Sequence, residues 1–204
     1  MRLVVITGGI GAGKSTAAEF LRIKGAVVVD ADRVAADVLS PGSKVLARVA
    51  EEFGEDILLP DGALDRPELA RRAFATLERA HALNAIVHPA VAREIGPAVA
   101  DLRLLPNPPS VVVLEVPLLP EAPVFAELAD VVLAVSAPEE LRVQRAVAHG
   151  RSEDDARRRV AVQATDDQRA QLADVVLVND SCREAFLREL ERFWEDRLAV
   201  GERR

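Results

Sequence analysis

Leu3-Val4-Val5-Ile6-Thr7-Gly8-Gly9-Ile10-Gly11-Ala12-Gly13-Lys14-Ser15-Thr16 is the stretch on which the fold turns. Leu3–Ile6 is a short β-branched run, and Ser15–Lys24 has helical spacing up to a stop at Gly25. Between them, Gly8 to Ser15 satisfies G-x-x-x-x-G-K-[ST] in the strand–loop–helix setting that gives the pattern its meaning. Glycines let the backbone curl until successive amides point inward at phosphate oxygens. The following helix adds its partly positive N-terminus. Lys14 then reaches the β- and γ-phosphates of a nucleoside triphosphate, and the Ser15 hydroxyl ligates the Mg²⁺ that bridges them. A chain of this length meets the pattern by chance about once in a hundred.

Outward from the loop, short apolar runs alternate with longer helical stretches, the signature of an α/β protein with a mainly parallel sheet. After Leu3–Ile6, strands are expected at Ala26–Val29, Val111–Val116, Val131–Val135 and Val175–Val178. These runs do not alternate with polar residues, as expected of strands covered on both faces. About eighty residues without a strand signal separate the second and third. Their helical segments, Lys44–Phe53, Pro67–Phe74, Leu77–Val87 and Ala90–Leu104, predict a helical subdomain that returns at Pro106-Asn107-Pro108-Pro109. A charged helical stretch follows from Glu139 to Ala170, and Arg183–Leu198 is a closing amphipathic helix.

The chain has 204 residues, 50% apolar and 29% charged, which suits one folded domain and argues against disorder. Its 33 acidic and 26 basic residues leave −7, which argues against a general nucleic-acid or acidic-lipid binder. Cys182 is alone and is expected as a half-buried thiol. The start is too short for a signal-peptide core, and every long apolar stretch is interrupted, so cytoplasm is the expected compartment.

A phosphate loop serves switches, motors and kinases alike. The chain lacks the D-x-x-G and N-K-x-D pair of a GTPase, and Val111–Leu114 ends in the single Glu115. Two features favour phosphoryl transfer to a small hydroxyl. Asp30-Ala31-Asp32 closes the second strand, where doubly wound sheets place ligands, and a carboxylate there can accept a hydroxyl proton. Asp32 is the candidate base; Asp30 fits a helix cap equally well. Arginines are dense from Arg142 to Arg159, mostly as a solvated face pairing with nearby acids, and Arg145 is the candidate for meeting phosphoryl charge. A kinase of another metabolite and a nucleotide-dependent regulator remain as alternatives at this point.

Taken together, the motifs resemble the dephospho-coenzyme A kinase family over nearly the whole chain, from Leu3 to about Leu190. They run in order: the phosphate loop, Val29-Asp30-Ala31-Asp32, Pro41-Gly42, Phe53-Gly54, Asp61-Gly62-Ala63-Leu64-Asp65-Arg66 and His88-Pro89. Pro117-Leu118-Leu119 with Glu121, then Gln163, Gln168-Arg169, Ala173-Asp174 and Asn179 complete the set. The resemblance implies transfer of the ATP γ-phosphoryl group to the ribose 3′-hydroxyl of dephospho-coenzyme A, with Mg²⁺. It implies a three-layer α/β/α P-loop domain around a five-stranded sheet: core 1–40, 110–138 and 171–204, acceptor region 41–109, lid 139–170. Asp32 becomes the base, Arg145 the lid arginine and Lys14 the phosphate lysine. Gly11, Ala12, Gly13, Lys14, Ser15 and Thr16 hold the triphosphate, and Asn179 lies near the adenine. His88, Leu118 and Leu119 fall with Asp32 in the acceptor site. The only partner implied is the small-molecule substrate.

Two positions depart from the family's pattern. His149 stands where a second lid arginine is common, with Arg151 just beyond a lid about one residue short. Pro120 interrupts the usual PLLFE run.

Overall fold

The computed structural model describes residues 1–199, leaving the side chains of Asp30, Asp32 and Leu77 outside the description. The chain packs as two compact units, Met1–Val29 with Leu102–Arg204, and Asp30–Asp101.

The first unit holds a parallel sheet with helices on both sides, the expected fold class. Its strands are β1 (Arg2–Thr7), β2 (Val27–Asp30), β3 (Val111–Glu115), β4 (Val131–Ser136) and β5 (Val175–Val178), in the order β2-β3-β1-β4-β5. In β1, Val4 pairs with Val113 on one side and Val131 on the other, while Ile6 pairs with Glu115 and Leu133. The loop after β1 therefore leaves the carboxyl end of the central strand, beside the point where the strand order reverses. Val4, Ile6, Val113 and Leu133 face helices α1 (Lys14–Ile23) and α10 (Arg183–Phe193), packing with Leu21, Phe186 and Leu190. Leu3, Val5, Val112 and Val132 are buried as well, so these three strands are covered on both faces.

β5 differs from that expectation. Its residues alternate, leaving Val176 and Val178 exposed, because it is an edge strand with one open face. Carboxylates tie the strand starts together: Asp130 accepts from Leu3 N–H at 2.7 Å and Asp174 from Val132 N–H at 2.8 Å. Helices α6 (Val124–Leu128), α7 (Glu139–Ala148), α8 (Glu153–Val162) and α9 (Asp166–Ala170) complete this unit. Cys182, expected half-buried, is exposed at the N-cap of α10.

The second unit contains α2 (Ala31–Val38), α3 (Lys44–Phe53), α4 (Arg66–Ala73) and most of α5 (Leu77–Arg103). Ser43 caps α3 through Leu46 N–H, and Asp65 caps α4 through Glu68 N–H, with Pro67 in the first turn where its missing N–H costs nothing. Arg72 donates to the Phe53 carbonyl and to both Asp56 and Glu68, fastening α4 to the end of α3. The two helices expected around His88-Pro89 are one continuous helix, with Pro89 and Pro97 inside it. His88 is consequently a mid-helix residue rather than one at a helix end before Pro89. No helix among the described residues is long and apolar enough to cross a membrane.

Candidate active site

The phosphate loop keeps the geometry its glycines permit. Gly11 and Gly13 have φ of +69° and +111°, the left-handed region in which a side chain is strained. Space excludes one as well: a β-carbon on Gly13 would meet Asn179 Nδ2, and one on Gly11 the Arg142 backbone. Gly13 is the N-cap of α1, and Ala17 N–H bonds its carbonyl at 3.0 Å. The amides of the first helical turn thus remain available to an anion. Lys14 Nζ donates to the Gly9 carbonyl at 3.0 Å, lying back along the loop.

A pocket of about 450 Å³ opens over this turn. Gly11, Gly13, Lys14, Ser15 and Thr16 form one wall; Arg145, His149, Asn179, Arg183 and Phe186 form the other. The α1 N-terminus, Arg145 and Arg183 give this pocket a positive lining suited to an anion. Ala12 is fully buried and contributes its backbone only.

Asn179 follows β5 and is 7% exposed. Its Nδ2 donates to the Ala12 carbonyl at 2.8 Å, and its Oδ1 accepts from Arg145 Nη2 at 3.1 Å. Arg145 Nη1 reaches the Asn179 carbonyl at 3.0 Å. Asn179 lines this pocket, and its polar atoms are spent on the loop and on Arg145. It acts as a brace for both.

The charged stretch divides in two. Arg151 pairs with Asp155 at 3.1 Å, Arg157 with Glu140 and Glu153, and Arg159 with Asp155, all on the exposed face foreseen. Their hydrogen bonds pull the Glu140 and Asp155 carboxyls below their ordinary range. Arg142 does not belong to that face. It is 7% exposed and packs against Gly9 and Gly11, a correction to the solvated reading. The available signal was its spacing: positions 142, 145, 146 and 149 share one helical stripe. Gln163 also escaped a role in the sequence; its Oε1 accepts from Ile10 N–H at 2.9 Å.

Leu118 is half-buried, whereas Leu119 is fully buried and opens a 3₁₀ turn, Leu119–Glu121. Leu119 can affect an acceptor only through packing or backbone. Pro120 sits in the first turn of that 3₁₀ segment, where proline is accommodated, which accounts for its departure from the family pattern. In the second unit, Asp30 is the last residue of β2 and Asp32 the second of α2. The side chains of both lie outside the described residues. His88 is half-buried in α5.

Among the described residues no group of three or more His, Cys, Asp or Glu is placed to hold a metal ion. The Ser15 hydroxyl in the pocket wall suits Mg²⁺ that takes most of its ligands from phosphates and water.

The model of the dephospho-CoA kinase family matches residues 2–184. A dephospho-CoA kinase of Streptomyces avermitilis is 44% identical over 197 residues, covering 96% of this chain and 94% of the relative. A solved Thermus thermophilus structure superposes with a TM-score of 0.74 at 34% identity, covering 96% of this chain and 97% of that one. Dephospho-CoA kinase from Campylobacter jejuni, at 22% identity, shares the fold with a TM-score of 0.69 over 97% and 98% of the two chains. With the phosphate loop intact and the family pattern spanning both units, the chain belongs to the dephospho-CoA kinase family.

Proposed function

We propose that this protein transfers the γ-phosphoryl group of ATP to the ribose 3′-hydroxyl of dephospho-coenzyme A, giving coenzyme A and ADP, the last step of coenzyme A synthesis. The observation that carries this reading is a complete phosphate loop, Gly8 to Thr16, opening α1 in a chain of this family. The amides from Gly11 to Thr16 and the Lys14 ammonium gather the triphosphate, so charge moving onto the leaving ADP meets fixed donors. Arg145 adds a cation from the lid side, held in place by Asn179. Asp32 orients the 3′-hydroxyl and accepts its proton late, since loose transition states gain most from positioning. His88, Leu118 and, through packing, Leu119 belong to the acceptor side. The Ser15 hydroxyl would be among the ligands of Mg²⁺, which would supply neutralisation of triphosphate charge when bound. A cytoplasmic protein whose partner is its small substrate, with no nucleic acid, fits the net charge of −7.

The test is ADP release with Mg²⁺-ATP and a panel of acceptors: dephospho-coenzyme A, AMP, CMP, shikimate, gluconate and none. Turnover on the order of 1–100 s⁻¹ that requires dephospho-coenzyme A is expected. Comparable turnover with another acceptor, or none with any, would discard the proposal.

A further inference from the structure

Beside the phosphate loop, at Gly9, two arginines are buried together. Arg142 of α7 is 7% exposed and Arg169 of α9 is 1% exposed. The Arg142 guanidinium lies so close to Gly9 that a β-carbon there would overlap Nη1. Arg169 Nη1 donates to Asp166 Oδ1 at 3.2 Å, and the same oxygen stands 3.7 Å from Arg142 Nη1. One carboxylate oxygen thus serves two guanidinium groups, and it does not satisfy them. Nε and Nη1 of Arg142, with Nε and Nη2 of Arg169, are out of solvent and have no hydrogen-bond acceptor.

A guanidinium keeps its proton and carries five donors in a rigid fork. Burying such donors without acceptors is unfavourable, and placing two like charges side by side adds to that. Burial, with Arg142 nearby, lowers the basicity of Arg169, while Asp166 and Glu121 support its charge. Another anion would complete the arrangement, and the loop indicates which. Lys14 Nζ rests on the Gly9 carbonyl, and the lysine of such loops serves the β- and γ-phosphates. Gly9 therefore marks the end where the terminal phosphate belongs. Arginine forks suit phosphoryl oxygens better than any other side chain.

Resting on the phosphoryl-transfer reading above, we propose that Arg142 and Arg169 seat the terminal phosphoryl group of the nucleotide and distinguish a triphosphate from a diphosphate. Arg145, bound to Asn179, does not make that distinction. Once the group has moved to the acceptor, ADP no longer engages the seat, which favours its release. Asp166 holds the two forks in register and prevents them from splaying apart when the seat is empty.

The experiment measures, by calorimetry, the affinities of ADP and of a non-hydrolysable triphosphate analogue with Mg²⁺. Wild type is compared with Arg142→Met, Arg169→Met and Arg142→Lys, and melting temperatures are recorded without nucleotide. Loss of a buried charged contact should weaken the analogue about tenfold or more in either methionine variant. ADP affinity should stay within about twofold, since ADP makes no contact with the seat. The nucleotide-free melting temperature should hold or rise in Arg142→Met, where donors without acceptors are removed, and fall in Arg169→Met, which also loses the bond to Asp166. Arg142→Lys should recover part of the analogue's affinity by restoring charge. Equal weakening of ADP and analogue, or no weakening of either, would overturn the proposal in favour of a plain buttress for the loop. Should the methionine variants not fold, Arg142→Lys and Arg169→Lys decide. A fall of about threefold or more in the analogue-to-ADP affinity ratio supports the seat, for the fork is lost while charge remains. An unchanged ratio refutes it. The affinity ratio needs no acceptor, so wild-type turnover tests the phosphoryl-transfer reading separately.

Discussion

Replacing Asn179 with alanine removes two side-chain bonds, one to the Ala12 carbonyl at 2.8 Å and one from Arg145 at 3.1 Å. Ala12 is fully buried, so water cannot replace the lost donor, and a neutral bond left unmade there costs about 1–2 kcal/mol. Arg145 is half-buried and retains its bond to the residue 179 carbonyl, so its share is smaller, about 1 kcal/mol. The sum, about 2–3 kcal/mol, corresponds to a fall of roughly 4–12 °C in melting temperature for a domain of this size. Both the loop and Arg145 lose their brace, so ATP affinity should drop about tenfold while kcat changes less. Urea unfolding without nucleotide, alongside calorimetry with ADP and a triphosphate analogue, reads both quantities. Unchanged stability together with an altered ATP-to-GTP preference would refute the bracing role and assign Asn179 to direct reading of the base.

Asp32→Asn should lower kcat by roughly 10²–10⁴ with ATP binding intact, measured by steady-state turnover and nucleotide titration; near-normal kcat would remove Asp32 from the base role. Arg145→Ala should lower kcat about 10²-fold or more. Arg151→Ala, which loses an exposed pairing with Asp155, should turn over normally; the reverse pattern would transfer the lid function to Arg151. In the helical unit, hydrogen bonds from Arg71 and Arg72 hold Glu68 at about 2. A carboxylate depressed on folding contributes stability above its unfolded value near 4.3, and that contribution is lost as pH falls toward 2. Arg72→Met should raise the Glu68 titration midpoint by NMR, and the stability gap between variant and wild type should narrow below about pH 4. An unmoved midpoint would show that Arg72 does not hold the carboxylate.

The elements that carry one dominant local signal were legible beforehand. The glycine spacing and Lys14 located the phosphate loop, and the apolar runs of β1, β3 and β4 marked strands buried on both faces. Signals that depend on a partner far along the chain were not. Pro89 predicts a break between two helices, yet one helix passes through it and through Pro97. Arg142 shares its segment with arginines that face solvent, and only packing against Gly9 and Gly11 sets it apart. Asp174 stood out as part of a motif, but its bond to Val132 N–H comes from strand pairing that no local pattern encodes. Asn179 was expected near the nucleotide from its motif, while its bond to the Ala12 carbonyl spans 167 positions of sequence.

The most direct test follows the phosphoryl group itself. ATP labelled in its γ-phosphate is incubated with Mg²⁺, dephospho-coenzyme A and the wild-type chain, and the labelled product is identified by mass and by the position of its phosphate. One label per product is expected, on the ribose 3′-oxygen, with ADP formed in equal amount. Label recovered as inorganic phosphate, or on any other oxygen of the acceptor, would contradict it.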